Sequence, residues 1–234
     1  MLDKPRVPGL KRINIFVGNL GSGKTEVAVN TALSLVGPRT VALVDLDIVN
    51  PYFRTRLARE RLERPGLQVI CPPPEMVQAD IPVLMPAILG VLTGGDRWGV
   101  FDVGGDDVGA TVLGCYREYL LPDEHAVFFV VNPYRPYTRT VPDILRMVAA
   151  VERASRVRVS CLVNNANLGP ATDARTLWEG RQVVDAAAGA LGRPVAFAAA
   201  RADLAPAVTE VLDVPVLPLT LYMRPPWESW EHGD

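Results

Sequence analysis

Eight residues near the start of the chain, Gly18-Asn19-Leu20-Gly21-Ser22-Gly23-Lys24-Thr25, constrain its fold more than any other feature. They match G-x-x-x-x-G-K-[ST]. The β-branched and aromatic run Ile13–Val17 precedes them, and an Ala/Val/Leu-rich stretch of helical character follows. Gly18, Gly21 and Gly23 let the backbone turn tightly and aim N–H groups at phosphate oxygens, where a Cβ would intrude. The following helix adds the positive end of its dipole. Lys24 is a compact charge for the β- and γ-phosphates, and Thr25 offers a hydroxyl to Mg2+. The pattern predicts strand, phosphate loop and helix in direct succession.

The rest of the chain continues that alternation. Short apolar runs at 13–17, 40–44, 67–71, 98–101, 126–131, 157–163 and 195–198, with a weaker one at 216–217, read as strands. Several are hydrophobic without alternation, as expected for strands covered on both faces in a parallel sheet. Helical patterns lie between them at 24–36, 52–62, 138–154 and 172–191, with a proline-broken candidate at 81–95. The expected fold is α/β: three layers, doubly wound, with a mostly parallel sheet of about seven or eight strands.

Composition narrows the class. With 49% hydrophobic and 21% charged residues, 234 residues can bury a sizeable core, which argues against disorder. One nucleotide-binding domain over 1–234 is expected, with an exposed lead-in at 1–12 and a tail at 220–234. The tail, with Trp227 and Trp230, reads either as packed on the surface or as a partner-docking segment. A net charge of −2 argues against a nucleic-acid partner. Residues 81–92 are too short and too proline-rich to span a bilayer, and 1–12 lack an apolar signal region, so no membrane partner is expected. Cys71, Cys115 and Cys161 are scattered without C-x-x-C, which fits a reducing cytoplasm.

Two strands end in acid. The second runs into Asp45-Leu46-Asp47 and the fourth into Asp102-Val103-Gly104-Gly105. In open α/β sheets ligands bind beyond the carboxyl ends of strands, so these carboxylates belong beside the phosphate loop. There they can hold Mg2+ or orient an attacking water.

Together, the phosphate loop, Asp-Leu-Asp on the next strand and Asp-x-x-Gly-Gly later resemble the MinD/ParA branch of P-loop ATPases. This is the SIMIBI class, with the CobQ/CobB-like proteins and the CooC-type and iron-protein ATPases. The resemblance covers residue 13 to about residue 219. It implies that Gly18, Asn19, Leu20, Gly21, Ser22, Gly23, Lys24, Thr25 and Glu26 line ATP or ADP. Lys24 and Asp47 are the catalytic residues it implies, with Asp47 placing the lytic water. Thr25, Asp47 and Asp102 serve Mg2+, Gly105 lies near the γ-phosphate as part of a switch, and Asp45 holds its loop together. The branch carries a second, signature lysine where this chain has Asn19. A neutral amide cannot neutralise developing phosphate charge, so hydrolysis is slow or another cation substitutes. Arg54 and Arg56 are candidates, against the plainer reading of a solvated helix face.

By the same resemblance the base pocket lies at Asn164 and at Arg201 to Asp203. The Asn164 amide suits adenine N6 and N7, though the cluster Asn164-Asn165-Ala166-Asn167 also reads as a turn. Asn167 stands where related GTPases carry an Asp for guanine, which favours ATP. Cys115 has no local partner, so no iron–sulfur cluster is expected. The implied function is a Mg2+-dependent ATPase acting as a switch, commonly a homodimer, on a client the sequence does not name. The alternatives are a small-molecule kinase or amide-forming synthetase, and a nucleotide-binding structural protein with little hydrolysis.

Overall fold

In the computed structural model the apolar runs lie side by side, all pointing the same way, in one eight-stranded sheet. The structure describes residues 7–37, 39–47, 59–71, 85–105 and 107–223. The strands are β1 (Ile13–Val17), β2 (Thr40–Leu46), β3 (Leu67–Ile70), β4 (Arg97–Val103), β5 (His125–Val131), β6 (Cys161–Asn164), β7 (Val195–Arg201) and β8 (Val216–Leu219). Their order is β3-β2-β4-β1-β5-β6-β7-β8, and every neighbouring pair is parallel. The fold is a three-layer α/β sandwich.

Among the described residues the α-helices are α1 (Lys24–Leu35), α2 (Arg59–Leu62), α3 (Pro86–Thr93), α4 (Asp107–Cys115), α5 (Val141–Ser155), α6 (Ala174–Leu191) and α7 (Ala205–Val211). Side chains alternate along each strand, so one strand serves both layers. Ile13, Ile15 and Val17 of β1 face Ile88 and Val91 of α3, Leu113 of α4 and Ile144 and Val148 of α5. Phe16 faces the opposite layer, with Val27, Ala28 and Ala32 of α1, and stacks on Phe128 of β5 at 4.9 Å between ring centroids. Fully burying an aliphatic or aromatic side chain contributes about 1.5–3 kcal/mol. This double coverage explains why the strands read as unbroken apolar runs.

Most sequence boundaries move by a few residues. β6 begins at Cys161 rather than 157, and β2 and β4 run on to Leu46 and Val103, carrying Asp45 and Asp102 into the sheet. The broken helix at 81–95 contributes one clean helix, α3, with Pro86 in its first turn, where a missing N–H costs nothing. Helices α4 and α7 have no counterpart among the expected elements. The lead-in is docked from residue 7: Val7 and Leu10 pack against the core. Arg12 closes the end of α3, donating to the carbonyls of Val91, Leu92 and Gly94 at 2.8, 2.5 and 2.7 Å. Residues 52–58 of the expected helix, Arg54 and Arg56 among them, residues 81–84 of the proline-broken candidate, and Trp227 and Trp230 lie outside the described residues.

Candidate functional site

The site is built at the carboxyl end of β1. Gly23 caps α1 in the left-handed region (φ 83), and Gly21 also has positive φ (77). The loop is gripped from three sides. A Cβ on Gly18 would meet the carbonyl oxygen of Val130 at 2.5 Å. Asn165, at the end of β6, donates its amide to the Ser22 carbonyl at 2.6 Å. A Cβ on Gly105 would stand 1.8 Å from the Gly18 carbonyl oxygen, so the segment after β4 lies directly against the loop. These contacts set a rigid rim around the start of α1, whose first N–H groups have no carbonyl behind them.

Beneath the loop lies a buried charge cluster. Lys24 Nζ is 2.5 Å from Asp47 Oδ2, and Thr25 Oγ1 donates to Asp102 Oδ2 at 2.6 Å. Asp45 Oδ1 accepts the Asp47 N–H at 3.1 Å, which ties that loop together. Burial alone would depress the Lys24 pKa, but Asp102, Asp47 and Asp45 outweigh it, and the ammonium is held charged. Asp102 is fully buried, and desolvation, reinforced by Asp45 and Asp47, pushes its pKa to about 7 despite Lys24. Its Oδ1 has no hydrogen-bond partner among the described residues. An orphaned, buried carboxylate oxygen beside a hydroxyl is a donor set for a hard cation, and it fits Mg2+. Among the described residues no group of three or more acidic, Cys or His side chains is placed to hold a metal ion by itself.

A groove leads away from the loop. Its near part, about 230 Å3, is bounded by Gly21, Lys24, Thr25 and Arg135. Its far part, about 360 Å3, is bounded by Asn165, Asn167, Leu177, Ala199 and Arg201. Gly23, Glu26, Asn167, Leu221 and Met223 border both. A cationic end opening into a largely apolar compartment matches the two ends of a nucleotide.

The predicted base-pocket residues divide. Asn164 is fully buried, and its amide is spent internally: Nδ2 donates to the Leu177 carbonyl at 3.1 Å and Oδ1 accepts the Ala166 N–H at 3.2 Å. Asn165 and Asn167 border the far compartment instead. Arg201 borders it too, held by two hydrogen bonds to Asp203 at 2.8 and 2.7 Å. Leu20 is exposed at the loop's crest, and Asn19 donates to the Pro136 carbonyl at 2.8 Å.

Two contributors escaped the sequence reading. One is Arg135, from the loop after β5. The other is the start of the supposed tail. Asn30 on α1 exchanges two hydrogen bonds with Thr220, and Glu26, one turn earlier, accepts the Tyr222 and Met223 N–H groups at 2.8 and 2.6 Å. Residues 220–223 therefore form a wall of the groove. Burial pushes the Glu26 carboxyl to about 7, against those two N–H groups. The only sequence signal for this latch was a polar pair four apart on an apolar helix.

No family model and no curated protein matches the chain. Among solved structures, FtsY from Mycoplasma mycoides is similar at 15% identity and TM-score 0.46, over 81% of this chain and 61% of that one. The chain thus spans under two thirds of that relative's length. A nucleotide-binding protein from Archaeoglobus fulgidus, solved in complex with ADP, is similar at 16% identity and TM-score 0.37, over 66% of this chain and 67% of that one. Likeness at this level adds nothing to what the strand order and the residues of the site establish. No helix among the described residues is long and apolar enough to cross a membrane.

Proposed function

We propose that this chain binds ATP with Mg2+ and hydrolyses it slowly, as a nucleotide-dependent switch of the MinD/ParA branch that acts on a partner protein. The observation that carries this reading is the buried assembly of Lys24 with Asp47 and of Thr25 with Asp102 directly under a glycine loop. The loop N–H groups and Lys24 hold the phosphates. Thr25 and Asp102 hold Mg2+, which when bound neutralises phosphate charge.

The residues suggest how binding and hydrolysis are linked. Phosphate would compete with Asp47 for the three N–H donors of the Lys24 ammonium. Asp47, released, becomes an acceptor for the proton of an attacking water. The contact of Gly105 with Gly18 makes the segment after β4 sensitive to what the loop holds, which is what a switch requires. A homodimer in the cytoplasm is the form the resemblance favours.

A second reading rests on Asn19. Its amide is engaged with Pro136 and supplies no charge, which favours nucleotide binding with little hydrolysis. Turnover separates the two. The purified protein should release phosphate from ATP only with Mg2+, and Asp47→Asn should lose at least about tenfold of that rate. Tight binding without turnover in the wild type would favour the second reading. Phosphate transfer that requires an added metabolite would point to a kinase or synthetase.

A further inference from the structure

We infer that Arg135 is a phosphate-contacting cation, supplied from within the chain, that takes the place of the absent second lysine. The inference rests on the nucleotide reading above and adds a residue to it. Arg135 lies over the phosphate loop: a Cβ on Gly21 would stand 3.1 Å from its Nε, 3.3 Å from its Cδ and 3.6 Å from its Cζ. It borders the near part of the groove with Lys24 and Thr25.

Among the described residues its charge has no carboxylate partner. Arg12, Arg146, Arg175, Arg181, Arg193 and Arg201 each pair with a carboxylate. Among the described residues, none lies within ion-pair distance of Arg135. An arginine beside a glycine loop has the planar donor array that phosphate oxygens take.

The loop that carries it is built to hold it there. Asn132 organises that loop. Its carbonyl accepts the Arg135 N–H at 3.1 Å and the Thr138 hydroxyl at 2.8 Å, and its side chain accepts the Tyr134 N–H at 3.1 Å. Thr138 is fully buried, and Tyr137 holds a positive φ of 68, a conformation that a side chain of its bulk adopts only when its surroundings impose it. Asn19 then pins the loop to the phosphate loop through the Pro136 carbonyl, one residue from Arg135. The amide at the lysine position thus acts as a positioning residue for an arginine.

Equilibrium binding of ADP and of a non-hydrolysable ATP analogue, measured by calorimetry in the wild type, Arg135→Ala, Arg139→Ala and Asn19→Ala, tests this. Arg135 is exposed, so its removal leaves the fold intact, which an unchanged melting temperature confirms. Arg135→Ala should weaken both ligands about tenfold or more, and the dependence of affinity on salt should flatten. Arg139→Ala, also exposed and four residues on, removes the same net charge and should bind as the wild type does. Asn19→Ala should weaken binding by a smaller factor. Unchanged affinity in Arg135→Ala, or an equal loss in Arg139→Ala, overturns the assignment while leaving the nucleotide reading in place. A wild type that binds neither ligand overturns that reading itself.

Discussion

Lys24 Nζ lies 2.5 Å from Asp47 Oδ2, with both side chains almost wholly buried. The carboxylate proposed to act in hydrolysis is thus paired with the lysine proposed to hold phosphate. Removing one partner of a buried pair costs about 3–5 kcal/mol when nothing else compensates. Asp102 and Asp45 still face Lys24, so Asp47→Asn should lower stability by less, about 1–3 kcal/mol by denaturant unfolding. ADP should bind Asp47→Asn more tightly than the wild type, because phosphate no longer competes for the ammonium. Weaker ADP binding would contradict this account of the pair.

The close approach of Gly105 to Gly18 predicts an asymmetry between two glycines. A methyl group on Gly105 would overlap the Gly18 carbonyl, so Gly105→Ala must push the two segments apart, at a cost of about 1–3 kcal/mol. A methyl group on Gly95 would meet nothing within 4 Å, so Gly95→Ala should stay within about 0.5 kcal/mol of the wild type. Equal effects in urea unfolding would show that the segment after β4 and the phosphate loop are not in contact.

Glu26 predicts a pH dependence with a definite sign. Its carboxyl is raised from 4.5 to about 7, chiefly by burial, so folding favours the protonated form. The stability this contributes is complete below about 4.5 and is lost as pH rises through about 7. Asp102 runs in the same direction, from 3.8 to about 7. The nucleotide-free protein should therefore lose stability across this interval. Glu26→Gln, which keeps the acceptor for Tyr222 and Met223, should reduce the slope in thermal melts taken from about pH 4.5 to about pH 7.5.

The cysteines should differ in reactivity. Burial pushes the Cys161 thiol to about 12, so at about pH 8 essentially none is thiolate, the form that reacts. Cys115 is exposed on α4. Iodoacetamide should label Cys115 in the native protein and reach Cys161 only after denaturation, as read by mass spectrometry.

The sheet and the phosphate loop were legible in the sequence because both rest on local signals. Doubly covered strands write themselves as apolar runs, and the glycine loop tolerates few other residues at Gly18, Gly21 and Gly23. Helices α4 and α7 were not legible: each is short and follows a loop of glycine, aspartate or alanine that carries no clear periodicity. Asp45 and Asp102 were placed at strand ends, yet both lie within strands, because β2 and β4 run one register step or more past their apolar cores. At the far compartment the Asn164 amide is bonded within the chain, and Asn165 and Asn167 border the space. A cluster of asparagines shows that amides gather there but not which of them face inward, and the pairing of Asn164 with the Leu177 carbonyl is decided by α6, which arrives later in the chain. Arg135 was hidden for the same reason. Nothing in Asn132-Pro133-Tyr134-Arg135-Pro136 reveals that its loop crosses the phosphate loop.

Binding of Mg2+-ATP by calorimetry, in the wild type and in Lys24→Ala, tests the central claim most directly. The account predicts saturable binding to the wild type that requires Mg2+ for full affinity, and loss of at least about a hundredfold in Lys24→Ala. An equal affinity in the two proteins, or no binding by the wild type, would contradict it.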